Sequence, residues 1–379
     1  MTPVSDSRPL RDVAALFVRL GLTAFGGPAA HIALMEEECV RRRRWITRDQ
    51  FLDVLGAANL IPGPTSTELA MHVGLRRAGW AGLVVAGICF IVPPSVVVGV
   101  LAALYVQVGQ LPSFEGILRA LKPVVVVIVL QAFIGLSRTA LRSVPLVLLT
   151  VVAAVAAAAG LSEVAVLLGA GVIHMAIGRR AIPVATVVLL AIPLGLIAAS
   201  TGATVPLPSL FGYFLKVGSE IFGSGYVLFA VLRGDLVDHH HWLTQGQLLD
   251  AIAVGQITPG PLFTSATFIG YLLGGPVGAV IATVAIFLPA FVFTALSAGA
   301  LHRLRRSPIA RAFLEGVNAA AVALIALVTL SLARTAIADL PTVAIALLAA
   351  VLVGWLRLNS SWVLAAAAIS GLFLYPSLN

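Results

Sequence analysis

The chain has 379 residues, of which 60% are hydrophobic and only 11% are charged, and its net charge is +8. A soluble domain carries about 25% charged residues, and the mean hydropathy here is +1.04, so the composition excludes an ordinary soluble protein. It predicts an all-α polytopic membrane protein, in which arginine-rich cytoplasmic loops rather than a nucleic-acid site account for the positive charge.

The first two predicted elements are re-entrant helical hairpins, at residues 10–43 and 47–77. The first breaks at Gly26-Gly27-Pro28 and the second at Pro62-Gly63-Pro64, and the apolar segments beside each break are too short to cross a bilayer. Both hairpins would enter and leave the membrane on the side that carries the arginines at 41–44, 48, 76 and 77. The positive-inside rule makes this the cytoplasmic side.

Ordinary transmembrane spans follow, and then a second pair of hairpins. The spans after the first pair lie at residues 80–106, 116–137, 144–159, 164–178 and 182–200. The second pair of hairpins lies at 210–236 and 244–274, and the remaining spans lie at 276–301, 312–332, 341–355 and 362–375. This threading leaves nearly all basic loops in the cytoplasm, with Arg233 and Arg334 as the main exceptions.

The two sets of hairpins are copies of each other, 197 residues apart. Trp45 recurs as Trp242, and Pro62-Gly63-Pro64 recurs as Pro259-Gly260-Pro261. Five spans separate the equivalent hairpins, which predicts inverted repeats at residues 1–180 and 208–379, joined by a connecting transmembrane helix and loop at 181–207. Interrupted helices in paired repeats are typical of secondary transporters that bind their substrate between the repeats.

The helix breaks predict an anion site. Proline lacks an N–H and glycine tolerates unusual dihedrals, so each break ends one helix and starts another. The restarted helix offers unpaired N–H groups and the positive end of its dipole, and nearby hydroxyls and amides can bind an oxyanion or cap the helix. A single Pro-Gly-Pro could be a simple kink, but two copies in register favour a site. The predicted substrate-binding residues at the breaks are Gly26, Gly27, Asn59, Gly63, Thr65, Ser66, Gly223, Ser224, Gln256, Gly260 and Thr264.

Two cations and two carboxylates inside the hairpins add to this prediction. Arg19 and Lys216 occupy equivalent positions, and we expect them to bind a divalent anion or to form ion pairs, because charges at membrane depth face a partner or a pathway. The alternative is that they snorkel to the membrane surface. Glu68 and Glu220 do not correspond to each other, and each is a predicted charge partner of these cations or a proton site.

No catalytic residue, metal site or cofactor is predicted. The three adjacent histidines 239–241 would point in different directions, and the lone thiols of Cys39 and Cys89 form neither a disulfide framework nor a metal cluster. Asp53 and Asp250 correspond, and we expect each to anchor its hairpin to a neighbouring helix.

These motifs resemble those of the chromate ion transporter (CHR) family in its long, two-domain form. The resemblance rests on residues 25–28, Trp45, and the runs at 59–64 and 256–261, and it covers almost the whole chain. It implies an inner-membrane carrier that exports chromate and confers chromate resistance. The second copy departs from the pattern at Gly223-Ser224-Gly225, where the proline is missing.

The predicted function is therefore export of chromate across the cell inner membrane. A dianion that leaves an inside-negative cell gains about 4.6 kcal/mol per 100 mV, so export needs no co-ion. Sulfate has the same shape and charge, and a carrier of sulfate or another tetrahedral oxyanion is the alternative. A membrane enzyme that acts on lipid phosphates is a weaker alternative, since no nucleophile and base are paired. The expected partners are the anion and the lipid bilayer, without nucleic acid; a homodimer is left open.

Overall fold

The computed structural model describes residues 8–59, 61–108, 112–179, 205–222, 225–298 and 307–375, and within these ranges all regular structure is helical. The predicted all-α class is thus confirmed for the described part of the chain. The connecting span predicted at 182–200 lies outside the described residues, as do Gly223 and Ser224.

The helices of the first half are numbered in chain order. They are α1 (Arg8–Thr23), α2 (Gly27–Glu36, continued by a π-helix at Glu37–Arg42), α3 (Arg48–Ala58), α4 (Thr65–Val108), α5 (Pro112–Ala140), α6 (Val144–Ala158) and α7 (Glu163–Arg179). The order of helix and break matches the sequence analysis, because Gly26 and Pro62-Gly63-Pro64 fall between helices.

The second half repeats this order after the predicted connecting segment. Its helices are α8 (Leu207–Glu220), α9 (Val227–Leu232, continued by a π-helix at Arg233–His239), α10 (Gln245–Ile257), α11 (Ser265–Ser297, after a 3-10 turn at Leu262–Thr264), α12 (Pro308–Ala336), α13 (Leu340–Ala349, continued by a π-helix at Ala350–Trp355) and α14 (Ser360–Leu374). Helices α1 to α7 therefore correspond one by one to α8 to α14.

Four of the described helical segments are long and apolar enough to cross a membrane. They are Thr65–Val108, Glu115–Ala140, Leu262–Ser297 and Pro308–Ala336. Shorter apolar helices accompany them at Val144–Ala158, Glu163–Ile177, Leu340–Trp355 and Ser360–Leu374. This is the composition expected of a polytopic membrane protein.

The helices α4 and α11 each fold back on themselves. The backbone turns at Ala78 and Gly79 in α4, where φ is −140° and 65°, and at Gly274 and Gly275 in α11, where φ is −147° and 62°. Gly74 lies against Gly82 across the first bend, so that residues 65–77 run back along residues 80–108. The bends fall at the boundaries that the sequence predicts between the second hairpin of each half and the span that follows it.

The two halves interlock, since helices of each half pack against helices of the other. Within each half, α1 packs on α4 and α8 packs on α11. In contrast, α5 packs on α13 and α14 of the second half, and α12 packs on α6 and α7 of the first half. Two pairs of equivalent helices, α4 with α11 and α5 with α12, also pack on each other, and α10 packs on α5. Each half therefore buries helices of the other.

The contact between Gly74 and Gly82 gives a test of the bend in α4. A Cβ on residue 74 would lie 2.6 Å from the Ala86 Cβ and would overlap the Gly82 carbonyl oxygen. We expect Gly74→Ala to destabilise the protein by about 1–3 kcal/mol, because the two arms of the helix would have to separate. Gly99→Ala is the matched control, since a Cβ there meets open space. The measurement is the midpoint of thermal unfolding in detergent, and equal midpoints for the two variants would contradict this description of the bend.

Candidate functional site

The four helix breaks are joined in pairs by backbone hydrogen bonds. The Gly63 N–H donates to the Ile221 carbonyl oxygen at 2.7 Å, and the Gly260 N–H donates to the Ala24 carbonyl oxygen at 3.0 Å. Each residue of one bond lies 197 positions from its equivalent in the other, so the same bond is made twice. The first break of each half is thereby bonded to the second break of the other half.

Glycine is required at the donor positions of these bonds. The φ angle is 136° at Gly63 and 95° at Gly260, and side chains other than that of glycine are strained in this region. Each break also approaches the other half closely: a Cβ on Gly63 would lie 3.5 Å from the Ala290 Cβ, and one on Gly260 would lie 2.6 Å from Pro94. The repeated Pro-Gly-Pro thus has a specific structural use at both positions.

A cavity of about 320 Å³ lies where the breaks meet. All four breaks contribute to its wall, together with α5 and α12. The lining residues are Pro28, Ile32, Asn59, Pro64, Thr65, Ser66, Leu136, Gly225, Leu262, Phe263, Leu314 and Asn318. The cavity therefore lies between the two halves of the chain.

The polar side chains of the cavity are neutral. Asn59 and Asn318 offer amides, and Thr65 and Ser66 offer hydroxyls at the first turn of α4. The lining also includes Pro28, at the first turn of α2. The first N–H groups of a helix have no partner within the helix and carry the positive end of its dipole. This wall can therefore donate hydrogen bonds to an anion without a charged side chain.

The other described residues predicted at the breaks are not among the lining residues, and their contacts differ. Gly63 and Gly260 make the paired bonds described above, and Gly27 lies against Tyr226, whose hydroxyl is 3.1 Å from the place of a Gly27 Cβ. Gln256 is buried and hydrogen-bonds Tyr226. Thr264 is also buried, and its hydroxyl donates to the Pro261 carbonyl oxygen at 2.8 Å, so it closes the turn and is not among the lining residues.

Asn318 was not predicted from the sequence. It lies in the amino-terminal half of α12, three residues after Glu315, where an apolar stretch begins that is typical of an ordinary span. The available signal was the amide itself, because a polar residue inside a transmembrane helix is costly unless it meets a partner or a pathway.

Arg19 and Lys216 do not line the cavity. Arg19 Nη2 lies 2.7 Å from Glu38 Oε2 at the far end of the first hairpin, and the Arg19 side chain is 48% exposed. Lys216 Nζ lies 4.0 Å from Glu220 Oε2, and its charge also interacts with Asp235, which is equivalent to Glu38. These contacts favour the ion-pair alternative, while the predicted role of the two cations as substrate ligands stays a prediction.

The carboxylate of Glu38 is held by several arginines. Burial raises its pKa, but the hydrogen bonds from Arg43 and Arg19 and the charge of Arg42 outweigh burial, so the pKa of Glu38 lies below its ordinary value. Glu38 is therefore charged at neutral pH and ties α1 to the end of the first hairpin. Glu68, by contrast, has no contact with Arg19 among the described interactions.

The ends of the two first-half hairpins lie together around Trp45. The guanidinium groups of Arg43 and Arg77 lie 5.3 Å and 5.4 Å from the centre of its ring. Arg77 also lies 3.3 Å from Asp12, near the start of α1. The start of the first hairpin, its end and the end of the second hairpin are thus neighbours.

Asp250 anchors the second hairpin of the second half, as predicted. Its carboxylate lies 3.1 Å from Lys122 Nζ on α5 and accepts a hydrogen bond from the Tyr105 hydroxyl at 3.0 Å. The Asp250 side chain is 5% exposed, so a buried ion pair joins α10 to α4 and α5.

Comparison with known proteins shows the same division of the chain into two halves. The model of a family described as "Chromate transporter" matches residues 11–175 and again residues 208–372, with the 197-residue offset found in the sequence. The chromate transport protein of Cupriavidus metallidurans is 34% identical over 98% of this chain and 94% of its own length. That of Pseudomonas aeruginosa is 32% identical over 96% and 92%, and an uncharacterized transporter of Methanocaldococcus jannaschii is 28% identical over 84% and 83%. No solved structure matches the chain.

The buried ion pair of Asp250 predicts a large effect of mutation. Asp250→Asn leaves the Lys122 ammonium without its counter-charge, and we expect a loss of about 3–5 kcal/mol of stability. The double variant Asp250→Asn with Lys122→Met removes both charges and should recover most of that loss. Thermal unfolding in detergent measures both variants, and a double variant no more stable than the single one would contradict the pairing.

Proposed function

Because the chain belongs to the chromate transporter family, we propose that it is a secondary transporter that exports chromate from the cytoplasm and confers chromate resistance. The family assignment identifies a multi-pass membrane transport protein rather than an enzyme. The observation that carries the proposal is a cavity whose wall is formed by all four helix breaks. Its membrane is the cell inner membrane.

The chemistry of the cavity suits a tetrahedral oxyanion. The amides of Asn59 and Asn318 and the hydroxyls of Thr65 and Ser66 can donate hydrogen bonds from several directions to four oxygens. The N-terminal ends of α2 and α4 add a favourable potential for negative charge. Neutral donors bind a dianion less tightly than lysine or arginine would, which favours release on the other side of the membrane.

The contacts around Trp45 support re-entrant hairpins. A hairpin that turns back inside the membrane must begin and end on the same side. Arg43, at the end of the first predicted hairpin, and Arg77, whose partner Asp12 lies near the start of that hairpin, contact the same tryptophan ring. In the second half, Trp242 contacts Tyr213 in the middle of α8 and stacks on His240, which follows the π-helix at Arg233–His239.

The position of the cavity supports inversion of the repeats. It contacts α5 near its carboxyl end, at Leu136, but it contacts the equivalent helix α12 near its amino end, at Leu314. Equivalent helices therefore present opposite ends to the same cavity. Arg138 and Arg311 lie close by in sequence, so this side is the cytoplasmic one by the positive-inside rule.

These features give a transport cycle that starts in the cytoplasm. Chromate enters the cavity from the arginine-bearing side, the two repeats rock around the bound ion, and the site opens to the exterior. The membrane potential favours this direction by about 4.6 kcal/mol per 100 mV for a dianion. Sulfate remains the alternative substrate, because the same donors fit both ions.

The lining residues give the direct test of this proposal. Asn318→Ala or Ser66→Ala removes a donor, and a loss of about 1.4 kcal/mol or more of binding energy should lower the initial rate of transport about tenfold at low chromate. The measurement is accumulation of labelled chromate in inside-out vesicles. Ser370→Ala is the matched control, since that hydroxyl bonds only within its own helix, to the Ala367 carbonyl oxygen. Accumulation of sulfate but not chromate by the wild type would favour the alternative substrate.

A second test separates the two roles predicted for Arg19. If Arg19 serves Glu38, Arg19→Gln should leave chromate transport within about threefold of the wild type, because Glu38 keeps Arg42 and Arg43 as partners and a partly exposed ion pair contributes only about 0–1 kcal/mol. Loss of transport in this variant, with protein still present in the membrane, would instead assign Arg19 to the substrate.

A further inference from the structure

Glu68 is a fully buried carboxyl group without a partner. Its exposed fraction is 0%, and neither carboxylate oxygen has a hydrogen-bond partner in the described part of the chain. The other strongly buried acids are paired: Glu38 contacts arginines, and Asp250 contacts Lys122. Glu68 therefore differs from acids that serve as structural ion pairs.

Its carboxyl group lies against the second break of the first half. A Cβ on Gly63 would be only 2.6 Å from Glu68 Oε1, so this oxygen packs directly on the backbone of the break. Glu68 follows the cavity-lining residues Thr65 and Ser66 by less than one helical turn, about 5 Å along the axis. A charge on Glu68 would thus be close to an anion in the cavity.

More unpartnered polar atoms continue from Glu68 towards the cytoplasmic side. His72 lies one turn further along α4, and its Nδ1 is buried without a partner, while its Nε2 is 3.4 Å from Ser297 Oγ. The hydroxyl of Thr294, one turn before Ser297 on α11, is also buried and unpartnered. Since Ala290 on the same face of α11 contacts Gly63, these groups form a polar seam between α4 and α11, defined by Glu68, His72, Thr294 and Ser297.

The charges on the neighbouring helices are mostly engaged elsewhere. On α1, Arg19 contacts Glu38 and Asp12 contacts Arg77. On α2, His31 Nε2 lies 3.0 Å from the Ala24 carbonyl oxygen. Residues 265–297 of α11 contain no charged side chain. Glu36 on α2 lies 3.6 Å from Arg48 on α3, and Asp250 on α10 lies 3.1 Å from Lys122. The other described titratable groups of α4 and the elements packed on it are Arg11 on α1, Asp49 and Asp53 on α3, His72, Arg76, Cys89 and Tyr105 on α4 itself, and Tyr271 on α11.

We propose that Glu68 is a proton-binding site linked to the chromate cavity, and that chromate binds when this carboxyl group is protonated. This inference rests on the proposed function. A buried carboxylate without a partner is costly, so the arrangement described here suits the neutral acid. A charged Glu68 would also repel a dianion beside it. By linkage, the proton favours chromate and chromate favours the proton to the same degree.

The proton balance of this step is simple. Where Glu68 is ionised before chromate arrives, binding of one chromate dianion draws one proton from the cytoplasm, which the seam of His72, Ser297 and Thr294 can deliver to Glu68. The loaded site then carries two net negative charges, those of chromate, instead of three.

The test is proton uptake by the purified wild-type protein on addition of chromate, in a weakly alkaline and weakly buffered solution that contains a pH-indicator dye. We expect about one proton per bound chromate, and an affinity that falls up to tenfold per pH unit on the alkaline side of the linkage. Glu68→Gln, an isosteric stand-in for the neutral acid, should bind chromate without proton uptake. Chromate can itself take up a proton, and this contribution is equal in both proteins, so their difference isolates Glu68.

Glu37→Gln is the matched control, because Glu37 is exposed and paired with Arg41 and Arg42; it should take up protons as the wild type does. Chromate binding without proton uptake by the wild type, which needs no variant to fold, overturns this inference alone. Equal proton uptake by Glu68→Gln also overturns it. Failure of the wild type to bind chromate would overturn the proposed function as well.

Discussion

Two backbone hydrogen bonds, from Gly63 to Ile221 and from Gly260 to Ala24, fix the centre of this protein. A helix that stops inside a membrane leaves N–H and C=O groups without water to bind, and each such group is costly to leave unpaired. Here each half satisfies groups of the other at its breaks. Because each bond joins a break of one half to a break of the other, neither break can change its backbone path without disturbing its hydrogen-bond partner. The cavity therefore exists only where both halves are present.

The same dependence separates two kinds of polar group. The breaks supply neutral donors and helix ends to the cavity, whereas Arg19 and Lys216 meet acids away from it. Arg19 contacts Glu38, and Lys216 lies near Glu220 and interacts with Asp235. The equivalent cations of the two halves therefore meet equivalent acids, Glu38 and Asp235.

Sequence reasoning was most successful where a residue type has few uses inside a membrane. The repeated glycines and prolines located the breaks, and the apolar runs located the helices. It failed for features that depend on contacts between distant segments. Asn318 lies in an apolar helix, and only the packing of α12 against the breaks brings it to the cavity. The partner of Arg19 lies 19 residues away, in a π-helix that no propensity indicates. Likewise, the sequence does not show that the described neighbours of Glu68 offer its carboxylate no hydrogen-bond partner.

The crossed packing of α5 and α12 has a consequence for biosynthesis. The helix α5 leaves the ribosome long before α13 and α14, which cover it in the finished protein. During translation, the small-residue face of α5, where Gly116 meets Gly371, is therefore in contact with lipid or with an insertion factor until the last helices are inserted. A truncated chain that lacks α14 would therefore leave α5 uncovered, even though every residue of the first half had been inserted.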